Sequence, residues 1–587
     1  MQGASNLYQQ LIRYIGHSFE GIFRWPVMSL QTGLPYILNK CDGFRKLFMQ
    51  TLCSGSPASV DRPWRFLLYA DEITPGNPLR PDNKRKQTAI YCSFLEFGAS
   101  LSSEYSWLTL GVVRGTVLKT INGGLSGAMR CLVRSMFIGD SSIGSAGILL
   151  PTGSIFFCKY HRFISDEAAG KAIFSTKGAA GIRPCMSCKN VVKRDDEGKS
   201  LLEYDPSGYL VDITCCDPSK FDGITDSDSF AAYDSLTAMV AAGARRADVD
   251  RAEKANGFTV DPYGIMSDLE VREIMKPSTY VRDPMHIMLC GGVMNCEFGA
   301  LFRALKHFFD GRRGAPFSFA VMREFVGADW LFPKHSRATA AIDVFSDIRE
   351  AASFKDNKLK AGASEQLRIY PLVRRFLEVL VPAGQLLRER LSFTLCCDVI
   401  DLAQEIKRGA LDKIGELKRK AAEFFRAHLS AYNDEFVIPK HHYMFHMHVT
   451  AEEDSFWYDC FVHERKHQRA KDNSEHIRNT SSYEESVLTT ILHSMIGDLQ
   501  TDITPDELLE PCAHCAELSE VFGVDCSLAN RMRFARVPIG VGDVLFSGSG
   551  ACLVEACLLV GQDFALLVEP LALMERITAT TSRFNEK

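Results

Sequence analysis

Two short motifs far apart in the chain constrain its fold more than any other feature. The first is Cys185-Met-Ser-Cys188. The second is His442-Tyr-Met-Phe-His446, reached only after a long intervening stretch. Two cysteines three apart sit on one turn, and two histidines four apart point from one face of a helix. Together they supply the two sulfurs and two nitrogens of a closed tetrahedral zinc site. If the motifs meet, the chain between them must leave and return to one point, as an insertion with tied ends. The run PKHHYMFHMH holds four of the fifteen histidines, and taken alone it also reads as a histidine-rich surface turn. His441, five residues before His446, is the alternate ligand. A second pair, Cys512 and Cys515, has no evident partner set.

The chain has 587 residues, too many for one compact core, so two to four domains or one domain with a large insertion are expected. Hydrophobic residues at 46% and charged residues at 24% fit a folded soluble protein. A net charge of −5 argues against a uniformly basic nucleic-acid coat but allows local basic patches. The N-terminal MQGASNLYQQLIRYIGHSFEG lacks the continuous apolar run of a secretory signal. No uninterrupted apolar run is long enough to span a bilayer, so no membrane partner is expected. Nineteen cysteines without a signal peptide point to thiols and a metal rather than a disulfide framework.

Residues 1–60 read as short helices and loops. From 61 to 184 the texture is mixed α/β. WRFLLYADE, KQTAIYCSFLEFG and YSWLTLGVVRG read as strands, GGLSGAMRCLVRSMFIGD as a helix, and SIFFCKYHRFISD as a fourth strand. Residues 185–455 turn mostly helical, with charged helix faces in LAQEIKRGALDKIGELKRKAAEFFRAHLSAY. A basic amphipathic helix follows in 456–500. Short apolar runs separated by glycine make 501–587 a small β module.

Acids stand at telling places. Asp71 ends one apolar strand, Asp166 ends another, and Glu464 lies on the basic helix. Any one of them alone reads as a turn or cap residue. Neighbouring strand-end carboxylates can instead chelate Mg²⁺ or Mn²⁺, whose shell accepts water and phosphate. Two such ions activate a water and stabilise the leaving oxygen in phosphodiester cleavage. A clamp between Cys185/Cys188 and the histidines would return Glu464 to the first two acids. Asp283, with His286 three residues on, is a further candidate; the plainer reading is a hydrogen-bonded pair pinning the insertion.

In their order these motifs resemble a DDE transposase of the CACTA-like superfamily and, more distantly, the RAG-type recombinase. The resemblance rests on YADE at Asp71, on ISDEAAGKAIFSTKGAAGIRPCMSC and on DPMHIMLCGGVMNCEFGALF. It rests equally on PKHHYMFHMH and FVHERKHQRAKDNSEHIRNTSSYEESVL, so that it spans roughly residues 64 to 490. It implies an RNase H-like core interrupted by a zinc-bound helical insertion. It implies Asp71, Asp166 and Glu464 as the catalytic triad holding Mg²⁺ or Mn²⁺. It implies Cys185, Cys188, His442 and His446 as the structural zinc set. His441 fits the RAG-like spacing and His442 the CACTA-like one. Double-stranded DNA, as transposon ends and target, action as a homo-oligomer and a nuclear location follow from the same resemblance.

The chain departs from that pattern in lacking a recognisable N-terminal zinc finger or helix-turn-helix. Its basic runs are 80–86, 303–313, 407–420 and 464–471; each alone reads as a solvated face, and the last, carrying Glu464, is the best candidate for a phosphate contact. Two other readings stand beside the transposase: an inactive domesticated descendant that binds DNA or chromatin, and a zinc hydrolase. The absence of a HExxH helix weighs against the second.

Overall fold

The computed structural model describes residues 10–15, 24–55, 58–75, 86–310, 317–327, 338–475, 477, 481–501, 507–508, 513–534, 537–547, 550–560, 563–576 and 582–586. Cys512 and most of the basic run 80–86 lie outside the described residues. The protein is mixed α/β and divides into two compact units. One comprises Met1–Ile287 with Val437–Thr501, the other Met288–Phe436 with Asp502–Lys587. The segment 185–455 is therefore shared between the two.

The first unit is built on a seven-stranded mixed sheet. In chain order its strands are β1 (Ile12–Ile15), β2 (Trp25–Met28), β3 (Trp64–Ile73), β4 (Gln87–Phe94), β5 (Leu108–Arg114), β6 (Cys158–Ser165) and β7 (Tyr280–Arg282). Their order across the sheet is β1-β2-β5-β4-β3-β6-β7. β3, β4 and β5 form an antiparallel meander, while β6 runs parallel to β3 and β7 parallel to β6. β4 is buried at every position and β3 at all but two, which is why both read as near-continuous apolar runs rather than alternating ones. Two strands in 1–60 and a third inside 185–455 differ from the reading by sequence. Each is three or four residues long, too short for period-two alternation to emerge.

Helices cover the sheet. The N-terminal pair α1 (Leu30–Lys40) and α2 (Asp42–Cys53) brings Phe48 onto Trp64, ring centroids 4.9 Å apart, within a cluster that includes Phe94, Phe97 and Phe156. α3 (Gly124–Phe137) connects β5 to β6 and buries Ala128, Met129, Leu132, Val133 and Met136. Its start needs glycine: Gly123 has φ 77°, and a Cβ on Gly127 would stand 2.1 Å from the Asn122 carbonyl oxygen. α4 (Glu167–Ile173) follows β6, and α5 (Asp226–Ala241) and α6 (Arg246–Asn256) pack around Tyr233 and Phe258. The unit closes with α7 (Pro439–Tyr443), α8 (Phe461–Glu475) and α9 (Tyr483–Thr501). Arg114 of β5 grips Glu484 of α9 through two bonds of 2.7 and 2.9 Å.

The second unit contains a run of helices, among them Val293–Asp310, Ala363–Leu380, Leu387–Lys407 and Ile414–Tyr432. The stretch Met285–Asp310 is long and apolar enough to cross a membrane, and 83% of its apolar window is buried within the protein. Glu297 and His428, both fully buried, pair at 2.6 Å. The C-terminal part of this unit is antiparallel β-sheet, centred on the pair Gly550–Val560 and Asp563–Arg576. No described cysteine is in a disulfide.

Candidate active site and metal centre

The parallel strands bring the strand-end acids together. The last β3–β6 register pair is Tyr69 with Ile164, and Asp71 and Asp166 each lie two residues beyond it. The last β6–β7 pair is Ser165 with Arg282, so Asp283 comes next on the third strand. Three carboxylates thus stand at the C-terminal ends of three adjacent parallel strands, where open α/β sheets place their ligands.

Asp71 is 8% exposed. It accepts from the Tyr69 hydroxyl at 3.0 Å and from the Glu72 amide at 2.7 Å. Asp166 is half-buried and caps α4, accepting from the Ala169 amide at 2.7 Å. Glu464, exposed on the first turn of α8, reaches Asp71. Ligand atoms of Asp71, His286 and Glu464 all lie within 4.8 Å of one another. The structure therefore adds His286 to the acids, and Asp166 stands beside this group rather than within it. Burial tends to raise the Asp71 carboxyl, but His467, His286 and the Glu72 amide outweigh it and hold it below the ordinary value. Burial and then the charge of Asp71 push Asp166 above its ordinary value. Neighbouring carboxylates driven in opposite directions are a pattern of sites that handle protons or cations.

Asp283 is 2% exposed, and its oxygens are committed. One accepts from the Cys460 amide at 3.1 Å, which fixes the start of α8. The other accepts from the His286 amide at 3.0 Å and its Nδ1 at 2.5 Å. The hydrogen-bonded pair expected from Asp283 and His286 is present, and the His286 ring also faces Asp71 and Glu464. Burial opposes its protonation, yet Asp283, then Asp71 and Asp166, push its pKa up to about 9. The signal for His286 in the sequence was the three-residue step from Asp283.

A second network sets the rotation of α8. His463 stacks on Tyr69, centroids 3.7 Å apart and 4° from parallel. The Tyr69 hydroxyl lies 3.0 Å from His467 Nε2, and the Tyr91 hydroxyl 3.1 Å from its Nδ1. Since Tyr69 donates to Asp71, the Nε2–H of His467 donates to Tyr69. This chain presents Glu464 toward β3. It also turns Lys466 of the basic run 464–471 inward, while Arg465 stays exposed. Lys466 is 8% exposed, and Arg469 pairs with Asp498.

The cysteine–histidine motifs meet. Ligand atoms of Cys185, Cys188, His442 and His446 all lie within 4.8 Å of one another. His446 Nε2 is 3.1 Å from His442 Nε2 and 3.3 Å from Cys188 Sγ. Four lone-pair donors converge where hydrogen bonding cannot satisfy them all, the environment a metal ion fits. Burial keeps His442 neutral, as a ligand must be. Burial would raise the Cys185 thiol, but Cys188, His446, His442 and Arg282 together hold it well below the ordinary range. His441 is fully buried on the other side of α7, its Nδ1 accepting from the Ile438 amide at 3.2 Å, so His442 is the histidine brought to the thiols.

The surroundings fix this centre. The cysteine loop is held by Lys189 N to Asp222 O at 2.9 Å and Ile224 N to Ser187 O at 3.1 Å. Tyr443 donates to the Pro184 carbonyl at 2.7 Å, and Phe221 meets His442 edge-on at 4.6 Å. Buried Arg282 donates to Ser187 Oγ at 3.3 Å, approaches Cys185 Sγ at 3.8 Å and stacks over Tyr280 and Tyr443.

No protein-family model matches the sequence, and no curated protein matches it.

Proposed function

We propose that this chain is a DDE-type transposase that cleaves DNA strands and joins the freed 3′-hydroxyl to target DNA. The observation that carries the reading is the register match of Asp71 and Asp166 on adjacent parallel strands, with Glu464 brought against Asp71 from α8. The meander, crossover helix and parallel strands are compatible with the RNase H-like core that the resemblance implies. Asp71, Asp166 and Glu464 would hold Mg²⁺ or Mn²⁺. Such ions polarise the scissile phosphate and lower the pKa of an attacking water. The protein's own contribution is to aim the three carboxylates: Tyr69 orients Asp71, the α4 amide orients Asp166, and the Asp283–Cys460 bond sets the start of α8.

Cys185, Cys188, His442 and His446 would hold Zn²⁺ in a closed structural site tying 185–188 to 442–446. DNA ends and target DNA as partners, a homo-oligomeric assembly and a nuclear location belong to the same reading. The test is cleavage of duplex DNA with Mg²⁺ or Mn²⁺ by the wild type and by D166A. Loss of cleavage with DNA binding intact is expected. Equal cleavage by both proteins would sink the reading.

One observation favours a second reading, an inactive descendant that keeps the scaffold for DNA or chromatin binding. The ring of His286 lies among Asp71 and Glu464, in space a divalent ion would use. Under that reading Mn²⁺ does not bind at the acids, and replacing Asp166 changes nothing beyond stability.

A further inference from the structure

His286 is held in the manner of a metal ligand rather than of a simple salt-bridge partner. It sits in a π-helical turn, Met285–Leu289, a rare geometry that recurs at functional sites. The backbone there is pinned. Asp283 accepts from the Met285 amide at 3.2 Å and from the His286 amide at 3.0 Å, and the Lys440 ammonium donates to the His286 carbonyl at 2.8 Å. The ring donates its Nδ1–H to the buried Asp283 carboxylate at 2.5 Å. A carboxylate on Nδ1 fixes the ring orientation and leaves Nε2 as the nitrogen that can ligate, the arrangement that stands behind metal-bound histidines. Asp71 and Glu464 supply the other donors, and ligand atoms of all three residues lie within 4.8 Å of one another. Atoms that share one ion at about 2.1 Å stand roughly 3–4 Å apart. A small closing movement of the exposed Glu464 side chain completes such a set.

We propose that Asp71, His286 and Glu464 are three protein ligands of one divalent transition-metal ion, with Asp283 as the positioning residue behind the ring. Carboxylate oxygens alone suit Mg²⁺ and Mn²⁺ alike. An imidazole nitrogen shifts the preference toward Mn²⁺ and its first-row neighbours. Three protein ligands leave the remaining positions of an octahedral ion to water or a phosphate oxygen. The ring of His286 then does not keep an ion from the acids; it is the part of the site that chooses the ion. This assignment rests on the acidic cluster of the proposed function and adds a ligand to it, but it does not require that DNA be cut.

The test uses the full chain, supplied with about one equivalent of Zn²⁺ for the cysteine–histidine centre, and Mn²⁺ as the probe. Electron spin-echo spectroscopy of the bound Mn²⁺ reads a nitrogen coupling from a histidine ligand that carboxylates and water do not give. The wild type is expected to bind Mn²⁺ with that coupling. H286A is expected to lose the coupling, to bind Mn²⁺ about tenfold or more weakly, and to narrow the preference for Mn²⁺ over Mg²⁺ measured by competition. E464Q changes an exposed residue and is expected to weaken Mn²⁺ binding by a similar factor, which keeps the test open should H286A fail to fold. Absence of Mn²⁺ binding, a coupling retained in H286A, or unchanged Mn²⁺ affinity in E464Q would each overturn the inference. Bound Mn²⁺ without nitrogen coupling would overturn it too, while leaving the transposase reading in place. Nitrogen-coupled Mn²⁺ in a protein that does not cut duplex DNA would uphold the inference and remove that reading.

Discussion

The two clusters of the first unit use different side chains to different ends. In the cysteine–histidine centre, four ligand atoms converge, three of the four residues are buried, and the surrounding bonds lock the loop and helix that supply them. Nothing there is left over for a substrate. In the acidic cluster, Glu464 is exposed, Asp166 stands beside rather than inside the group, and Asp71 keeps hydrogen bonds to its own neighbours. A closed ligand set suits holding a fold together, and an open one suits chemistry. The difference lies both in ligand type, thiol and imidazole against carboxylate, and in how many ligands are already spoken for.

That contrast can be broken from either side. Removing a ligand from the closed centre should have the largest effect on the fold. C185S is expected to take bound metal from about one equivalent to none, cost more than about 5 kcal/mol, and lower the unfolding midpoint by about 10 °C or more. Metal analysis and calorimetry on the same sample check this, and a metal-free wild type with an unchanged midpoint would remove the distinction. Removing an acid should do the reverse. Under the proposed function D71N is expected to lose cleavage by about a thousandfold or more while stability changes by only about 1–2 kcal/mol.

The support of the open cluster should matter less than its ligands. D283N leaves the triad in place but disturbs both the His286 ring and the start of α8. A fall in rate of about 10–100-fold is expected, with metal affinity at the acids falling alongside. A variant as active as the wild type would place Asp283 outside the site.

The smallest effect concerns pH and separates fold from chemistry. Asp454 lies at 2.9 Å from His161 and 2.7 Å from Arg162. Burial opposes its ionisation, but His161 and then Arg162 hold it well below the usual carboxylate range. Its native pKa lies below the unfolded one, so below about pH 4 the unfolded chain binds the extra proton and stability falls with pH. D454N is expected to flatten that acid limb of the stability curve. An unchanged limb would assign acid unfolding to other carboxylates.

Much of this was legible in the sequence, for a physical reason. A buried strand that ends in acid announces itself, which made Asp71 and Asp166 visible. Histidines four apart announce a shared helix face, but the sequence left His441 and His442 open, and only the structure brings His442 to the thiols. The three-residue strand β7 was hidden because three residues show no period, and it lies within a stretch that otherwise reads as helix and loop. His286 was legible as a neighbour of Asp283 but not as a neighbour of Asp71, since strand adjacency is a property of the sheet. The inward turn of Lys466 was equally hidden, because charge in a sequence does not say which face of a helix is buried.

Strand β7 has a consequence for how the molecule is made. Arg282 touches the cysteine loop, and its neighbour Asp283 holds the start of α8. One peptide unit therefore joins elements drawn from near residues 185, 282, 442 and 460. A ribosome emits the last of these only after the whole stretch Met288–Phe436 of the other unit has appeared. Until then the thiols of Cys185 and Cys188 lack their histidines, and the guanidinium of Arg282 lacks Tyr443. This sheet edge therefore waits on contacts of very long sequence separation, the slowest kind to form.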